Sequence, residues 1–335
     1  MTEKPQTSAA GGWQLPASCA LCPRRCGADR AAGQRGACGA DDTLVVARAA
    51  LHFWEEPPIS GVSGSGTVFF SNCSLGCVYC QNRTIAAGQA GKAITVERLA
   101  QIFLEQQARG ANNLNLVTAT HYLPQVKAAL DLARDQGLAL PVVYNTSGYE
   151  TVEAVRSLDG YVDVWLTDFK YASSGPARRY SRAPDYPQVA AAALEQMVAQ
   201  TETQGGWELG GLDRGSAEHP LPEGEDPIPL LTRGVVVRHL MLPGGLADSK
   251  AVVARVLERY GDAVCLSLMN QYTPMPQVIG TKLARRLPEL ARTVTEDEYS
   301  ELIDYALDLG ATNSFMQEGG AVGESFIPDF DCQGV

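Results

Sequence analysis

A short apolar run, Thr67-Val-Phe-Phe70, is followed at once by Cys73, Cys77 and Cys80. The run reads as a buried strand, so the three cysteines fall on the loop that leaves it, in the spacing C-x3-C-x2-C. Three thiolates on one loop can hold three irons of a cubane cluster, which ordinarily takes four protein ligands. An open metal position is what separates a catalytic metal site from a structural one. The rest of the chain can therefore be asked for what an open iron would need.

Nine cysteines occur in 335 residues, and seven of them precede position 81. The first four, Cys19-x2-Cys22-Pro-Arg-x-Cys26 and Cys38, lie among Gly and Pro in a stretch that cannot build an apolar core. Such a knuckle needs a metal to fold, and zinc and an auxiliary iron–sulfur cluster both suit four thiolates. Clustered cysteines point to metal in a reducing compartment; an oxidised secreted domain is the alternative. The first eighteen residues read as a mobile tail without the apolar core of a signal peptide, and a cytoplasmic protein is expected. No apolar run reaches the length of a membrane span. A net charge of −11 and a pI near 4.9 argue against a nucleic-acid partner. Cys265 reads as a small core residue and Cys332 as a tail thiol.

The Gly/Ser run 61–66 marks a boundary between an N-terminal extension, 1–66, and a larger unit, 67–335. From residue 67 strands and helices alternate. Apolar runs at 67–70, 113–118, 138–144, 161–167, 234–241 and 262–269 are interleaved with helical patterns at 95–110, 124–136, 151–158, 188–200, 249–260 and 295–309. Thr95 is placed to cap the first of these helices, and Thr295 with Glu298 to form a capping box on the last. Six βα units with continuous apolar strands imply an α/β fold, a partial (β/α)6 TIM barrel. The rhythm breaks at about 201–230, an acidic segment that reads as a solvated surface insertion.

In a parallel barrel the functional residues gather at the carboxyl ends of the strands. Those ends carry Cys73, Cys77 and Cys80; Thr118, Thr120 and His121; Asn145 and Ser147; Asp168 and Lys170; Arg238 and His239; and Asn270-Gln271-Tyr272. Hydroxyls, carboxylates and cations converging on one mouth suit a zwitterionic ligand bearing a ribose. Thr118 and Ser147 serve equally as helix caps, Asp168 with Lys170 as a surface ion pair, and the histidines as hydrogen-bonded core. Arg238 in an apolar strand demands an anionic partner.

The Cys73-x3-Cys77-x2-Cys80 pattern, with Tyr79 before the last cysteine, resembles the radical S-adenosylmethionine (SAM) superfamily. The wider chain is similar to pyruvate formate-lyase activating enzyme-like proteins of the PflX type. That likeness runs through Cys19-x2-Cys22-Pro-Arg-x-Cys26, Trp54-Glu-Glu-Pro, Cys80-Gln-Asn, Leu116-Val-Thr-Ala-Thr-His121, Val143-Tyr-Asn-Thr-Ser-Gly-Tyr149, Asp168-Phe-Lys-Tyr, Val237-Arg-His-Leu and Glu324-Ser-Phe-Ile-Pro-Asp-Phe330.

The resemblance implies a radical SAM partial barrel with a [4Fe-4S] cluster on Cys73, Cys77 and Cys80. SAM would chelate the open iron and be cleaved reductively to a 5′-deoxyadenosyl radical that abstracts hydrogen. No catalytic residue beyond the cluster is implied. Tyr79 is then expected near the adenine, Asp168 and Lys170 near the ribose and carboxylate, and Arg238 near the carboxylate. Thr118, Thr120, Asn145 and Ser147 complete the implied cofactor contacts. The implied partners are a flavodoxin- or ferredoxin-like electron donor and a glycyl-radical enzyme or other protein substrate. Better-known activating enzymes carry Gly-Gly-Glu after the second strand to receive the amino group of SAM. This chain has Thr118-Ala-Thr120-His121 there, which leaves that task to hydroxyls or backbone carbonyls. Chemistry on a small molecule or peptide, or a non-enzymatic iron–sulfur or zinc protein, are the other readings.

Overall fold

The computed structural model describes residues 13–216, 218–317 and 327–335. Residues 1–12 of the expected tail, and the start of the Glu324–Phe330 motif, lie outside them. Residues 13–43 hold neither helix nor strand. The chain then forms β1 (Leu44–His52), α1 (Pro57–Ser60), β2 (Ser65–Phe70), α2 (Arg83–Ala86), β3 (Lys92–Ile94) and α3 (Val96–Ala108). Next come β4 (Leu114–Val117), α4 (Leu123–Asp135), β5 (Val142–Thr146), α5 (Val152–Ser157), β6 (Val164–Asp168), α6 (Ser174–Ser181) and α7 (Tyr186–Thr203). The remainder is β7 (Glu208–Asp213), β8 (Ile228–Leu240), α8 (Leu246–Tyr260), β9 (Cys265–Met269), α9 (Lys282–Arg286), α10 (Glu296–Asp308) and β10 (Ser314–Met316).

The strand order is β10-β9-β8-β6-β5-β4-β2-β1-β3, with β7 paired to β8 off this path. From β2 through β10 the neighbours in the order run parallel; β1 and β3 extend the other edge antiparallel. This is an α/β fold around a mostly parallel sheet, consistent with a partial barrel. The six expected βα units are present because β2, β4, β5, β6 and β9 are buried over nearly their whole length and need helices on one face. Helix α3 starts where the Thr95 hydroxyl accepts from the Arg98 N–H, and α10 begins with the Thr295–Glu298 capping box.

Three features differ from the sequence expectation. Strand β1 lies in the main sheet beside β2, so the sheet starts upstream of residue 67. Strand β10 is only three residues long, too short for periodicity to show it. The acidic segment is a β-arm: α7 continues to Thr203, and β7 then runs antiparallel to the first half of β8. Its anchor is Asp213, which is buried. The Val62 N–H (2.7 Å) and the Ser63 N–H (2.8 Å) donate to its Oδ2. The Ser63 hydroxyl donates to Oδ1 (2.8 Å) and the Asn112 amide to Oδ2 (2.7 Å).

Burial alone would raise the Asp213 pKa, but these donors outweigh it and hold the carboxyl below its ordinary value. A depressed folded pKa stabilises the fold above the unfolded pKa of about 3.9, and that stability is lost as the pH falls through the folded value. Replacing Asp213 with Ala is expected to cost about 2–3 kcal/mol at pH 7, by urea denaturation, with the deficit shrinking below about pH 4.

Candidate active site

The carboxyl ends of β2, β4, β5, β6, β8 and β9 open into one cavity of about 580 Å³. Its wall includes Cys73, Cys77, Tyr79, Cys80, Thr118, Asn145, Ser147, Asp168, Lys170 and Arg238. Ten of the predicted site residues thus share one space. Thr120 is not among them: it is buried beneath the mouth and donates its hydroxyl to Glu150 Oε1 (2.5 Å). Cys19, Cys22, Cys26 and Cys38 lie outside the cavity wall as well. A second concavity, about 410 Å³, lies between Trp13, Leu123 and Tyr161 and includes none of the cysteines.

The cysteine loop is shaped by bonds to its backbone and its sulfurs. The Leu75 N–H points at Cys73 Sγ (3.4 Å), and the Ser181 hydroxyl donates to Cys77 Sγ (3.0 Å). The Asn82 N–H faces the Cys80 sulfur. A polar chain leads from that serine into the wall: Ser181 Oγ to Tyr171 (2.6 Å), and Tyr171 to the Tyr79 hydroxyl (2.8 Å). Burial pushes the Cys77 thiol up, partly offset by Lys170, and the Cys80 thiol up to about 12. Thiols so placed ionise only with a cation or metal at hand. Lys170 is the nearby cation, held by Asp168 at 2.5 Å. Burial would raise the Asp168 pKa, but Lys170 and Arg238 outweigh it and hold the carboxyl below its ordinary value.

The strand register sets the deeper part of the site. Asp168 of β6 pairs directly with Arg238 of β8, which pairs with Ser267 of β9. The Arg238 Nε approaches Asp168 Oδ1 at 3.3 Å, its Nη2 donates to Asn145 Oδ1 (2.6 Å), and its Nη1 donates to Glu55 Oε2 (2.8 Å). Glu55 is the partner that strand-end reasoning missed. It lies on the turn after β1 and also accepts from the amides of Asn115 (3.1 Å) and Asn145 (3.0 Å). Trp54-Glu-Glu-Pro carried a signal, two acids before Pro57-Pro58, but nothing local aims them inward. Glu56 follows, its carboxyl pushed up by burial against the pull of Arg238, with Oε2 unpaired.

Two backbone features open the mouth. Thr118, at the end of β4, has φ of 60°. That is a costly conformation for a β-branched residue and occurs where strand-end geometry serves a site. Gly148 has φ of 74°, and a Cβ there would lie 2.2 Å from the Asp168 carbonyl oxygen, so β5 and β6 approach this closely only over glycine.

The cavity residues suit an iron–sulfur cluster with a chelating ligand. Three sulfurs receive N–H or O–H donors, a lysine stands nearby, and the polar wall leaves Asn82 Oδ1 and Glu56 Oε2 without protein partners. Among the described residues no three His, Cys, Asp or Glu side chains converge in single-ion geometry. On a cubane each of the three thiolates meets a different iron, so such convergence is not required.

Residues 67–195, the span from β2 into α7, match the Radical SAM superfamily. That stretch of the chain is similar to radical SAM domains. That class of domain supports an enzyme that uses SAM-derived radicals, and a [4Fe-4S] cluster with SAM is general to it. An uncharacterized protein of Methanocaldococcus jannaschii, MJ0674, is 26% identical over 306 residues, covering 87% of this chain and 76% of that protein. Among the described residues no helix is long and apolar enough to cross a membrane.

Two stability predictions follow from the buried charges. Removing Glu55 takes one of its two carboxylate partners from the Arg238 guanidinium, which is only 15% exposed. Glu55→Ala is expected to cost about 3 kcal/mol by urea denaturation, and Glu55→Ala with Arg238→Met to recover part of it. Burial raises the Glu150 carboxyl from 4.5 to about 7, against its bonds from Thr120 and Thr146. A raised folded pKa means stability is lost as pH rises between those values. Between pH 5 and pH 8 wild type should lose roughly 3 kcal/mol more than Glu150→Gln.

Proposed function

We propose that this protein is a radical SAM oxidoreductase that abstracts hydrogen from a partner molecule, in the manner of a glycyl-radical-enzyme activase. The observation that carries this reading is the cavity wall, which brings Cys73, Cys77 and Cys80 together with Asp168, Lys170 and Arg238. When bound, a [4Fe-4S] cluster and SAM supply one-electron reduction of the sulfonium and hydrogen abstraction.

The residues of the chain do the rest. Cys73, Cys77 and Cys80 would hold the cluster through their three thiolates. Lys170 supplies a cation for the ligand carboxylate, and Asp168 accepts ribose hydroxyls while staying ionised between two cations. The Tyr79 ring forms part of the adenine side of the wall, its hydroxyl tied back to Tyr171. The strained Thr118 backbone, with Asn145 and Ser147, offers carbonyls and side-chain oxygens to an ammonium group. Glu55 and Asn145 keep Arg238 aimed, and the buried wall excludes water from a reactive intermediate. A small flavodoxin- or ferredoxin-like donor is the proposed reductant.

Activation of a glycyl-radical protein rests on the PflX-type likeness, and reaction with a small molecule or peptide is the second reading.

Reconstituted protein reduced with dithionite under anaerobic conditions should form 5′-deoxyadenosine from SAM, and Cys77→Ala should reduce this at least a hundredfold. No product, with equal iron in wild type and Cys77→Ala, would sink the reading. In a mixture with a glycyl-radical enzyme, a glycine-centred EPR doublet would favour activation over small-molecule chemistry.

A further inference from the structure

Two segments frame the Cys73–Cys80 loop, and the frame carries one sign of charge. The Val78 N–H donates to the Tyr180 carbonyl and the Ser181 hydroxyl to Cys77 Sγ (3.0 Å), which sets the end of α6 against one side of the loop. On the other side the Gln277 amide donates to the carbonyls of Val78 (3.4 Å) and Cys80 (3.3 Å). The Gln277 carbonyl in turn accepts from the hydroxyl of Thr281, the residue that caps α9. Glu289, just past α9, joins the two sides by accepting from Arg179 (2.7 Å) and from the Tyr180 hydroxyl (2.6 Å).

The chain has 38 acidic residues against 27 basic ones, yet residues 71–91, 170–182 and 271–288 contain no Asp or Glu. Arg178 and Arg182 stand exposed at the end of α6, and Lys282, Arg285 and Arg286 stand exposed on α9. None of these side chains has an ion-pair partner among the described residues. Like charges gathered this way repel one another and return nothing to the fold, so their use lies outside it. Ile279, in the turn that leads into α9, is 56% exposed. An apolar residue beside a charged rim is the make-up of a contact surface. The cysteine loop also comes close to solvent: Cys73 and Cys80 are half-buried, and Gln81, next in the chain, is exposed.

We propose that the end of α6, α9 and the turn between Gln277 and Thr281 form the docking face for a small acidic one-electron carrier protein of the flavodoxin kind. In the encounter the reduced flavin loses one electron and a cluster on Cys73, Cys77 and Cys80 gains it; no group is transferred. The identity of this partner rests on the radical reading of the cavity, whereas the cationic face does not. Electron transfer needs close approach without enclosure, and such encounters use small contacts steered by charge. The net charge of −11 repels an acidic partner from the remainder of the surface, which leaves this face to receive it. Nucleic acid would meet the same cations, but it brings no electron to the loop they frame.

Calorimetry with a flavodoxin of net negative charge, at low ionic strength and again in about 0.5 M salt, tests the face. Arg178→Glu with Arg285→Glu should weaken Kd about tenfold at low ionic strength, and the difference should fade in high salt. Arg109→Glu with Arg255→Glu makes the same change of charge at the end of α3 and on α8, and should leave Kd within about threefold. In stopped flow, reduction of the reconstituted cluster by flavodoxin hydroquinone should slow about tenfold in the first pair, while dithionite, a small reductant, reduces it as fast as wild type. Circular dichroism melts check that both pairs fold. No binding by wild type, or an equal Kd in the two pairs, overturns the proposal. So does a DNA or RNA duplex that binds wild type more tightly than flavodoxin does and is lost in Arg178→Glu with Arg285→Glu. Flavodoxin binding that depends on Arg178 and Arg285, without 5′-deoxyadenosine from dithionite-reduced wild type, fails the catalytic reading and leaves the face standing.

Discussion

A guanidinium inside a cavity at the strand ends has to be neutralised, and most of this site is arranged around that requirement. Arg238 projects from a strand buried on both sides, where an unpaired charge costs several kcal/mol. Its neighbours come from three separate parts of the chain: Glu55 and Glu56 from the turn after β1, Asn145 from β5 and Asp168 from β6. Asp168 in turn holds Lys170, which faces the sulfurs of Cys77 and Cys80. One buried cation thus links the antiparallel edge of the sheet, its parallel centre and the cysteine loop into a single electrostatic unit. Such a unit is costly to assemble and aims its donors without further reorganisation, which is what a site for a charged ligand needs.

The cysteine loop has little structure of its own. Its path is held by neighbours: Tyr180 accepts from the Val78 N–H, Gln277 donates to the carbonyls of Val78 and Cys80, and Arg24 donates to those of Ser74 and Leu75. Loops carry chemistry well when a rigid scaffold positions them, and here the scaffold reaches from residue 24 to residue 277. The polar chain Tyr79–Tyr171–Ser181–Cys77 shows the same economy, since one serine hydroxyl serves both a wall tyrosine and the Cys77 sulfur.

Much of this was legible in the residues. The strand–helix alternation appears because parallel strands buried on both faces must be continuous apolar runs, and β2, β4, β5, β6 and β9 are such runs. Strand-end polarity led to nine of the ten site residues named in the wall, all but Tyr79, because a polar group at that place in a parallel α/β fold needs a reason to be there. Thr120 shows where this reasoning stops. It sits at a strand end like its neighbours, yet its hydroxyl turns down to Glu150, a carboxylate thirty residues away that no local pattern pairs with it. The acidic β-arm was hidden for a similar reason: charge and length describe a surface segment, and only Asp213 faces inward to bind the 61–64 turn.

By itself the sequence determined the succession of βα units, the cysteine spacing and the identity of the charged strand ends, because periodicity, capping and ligand spacing are local properties. The tertiary structure decided which charges meet. Register places Asp168 opposite Arg238 and Ser267 beyond it. The return of β1 to the sheet brings Glu55 into the mouth, and the packing of the first cysteine loop brings Arg24 to the second. These are contacts between residues 50 to 183 positions apart, and their partners are chosen by the desolvation of buried charge and unpaired carbonyls, which exists only once the chain has closed around them.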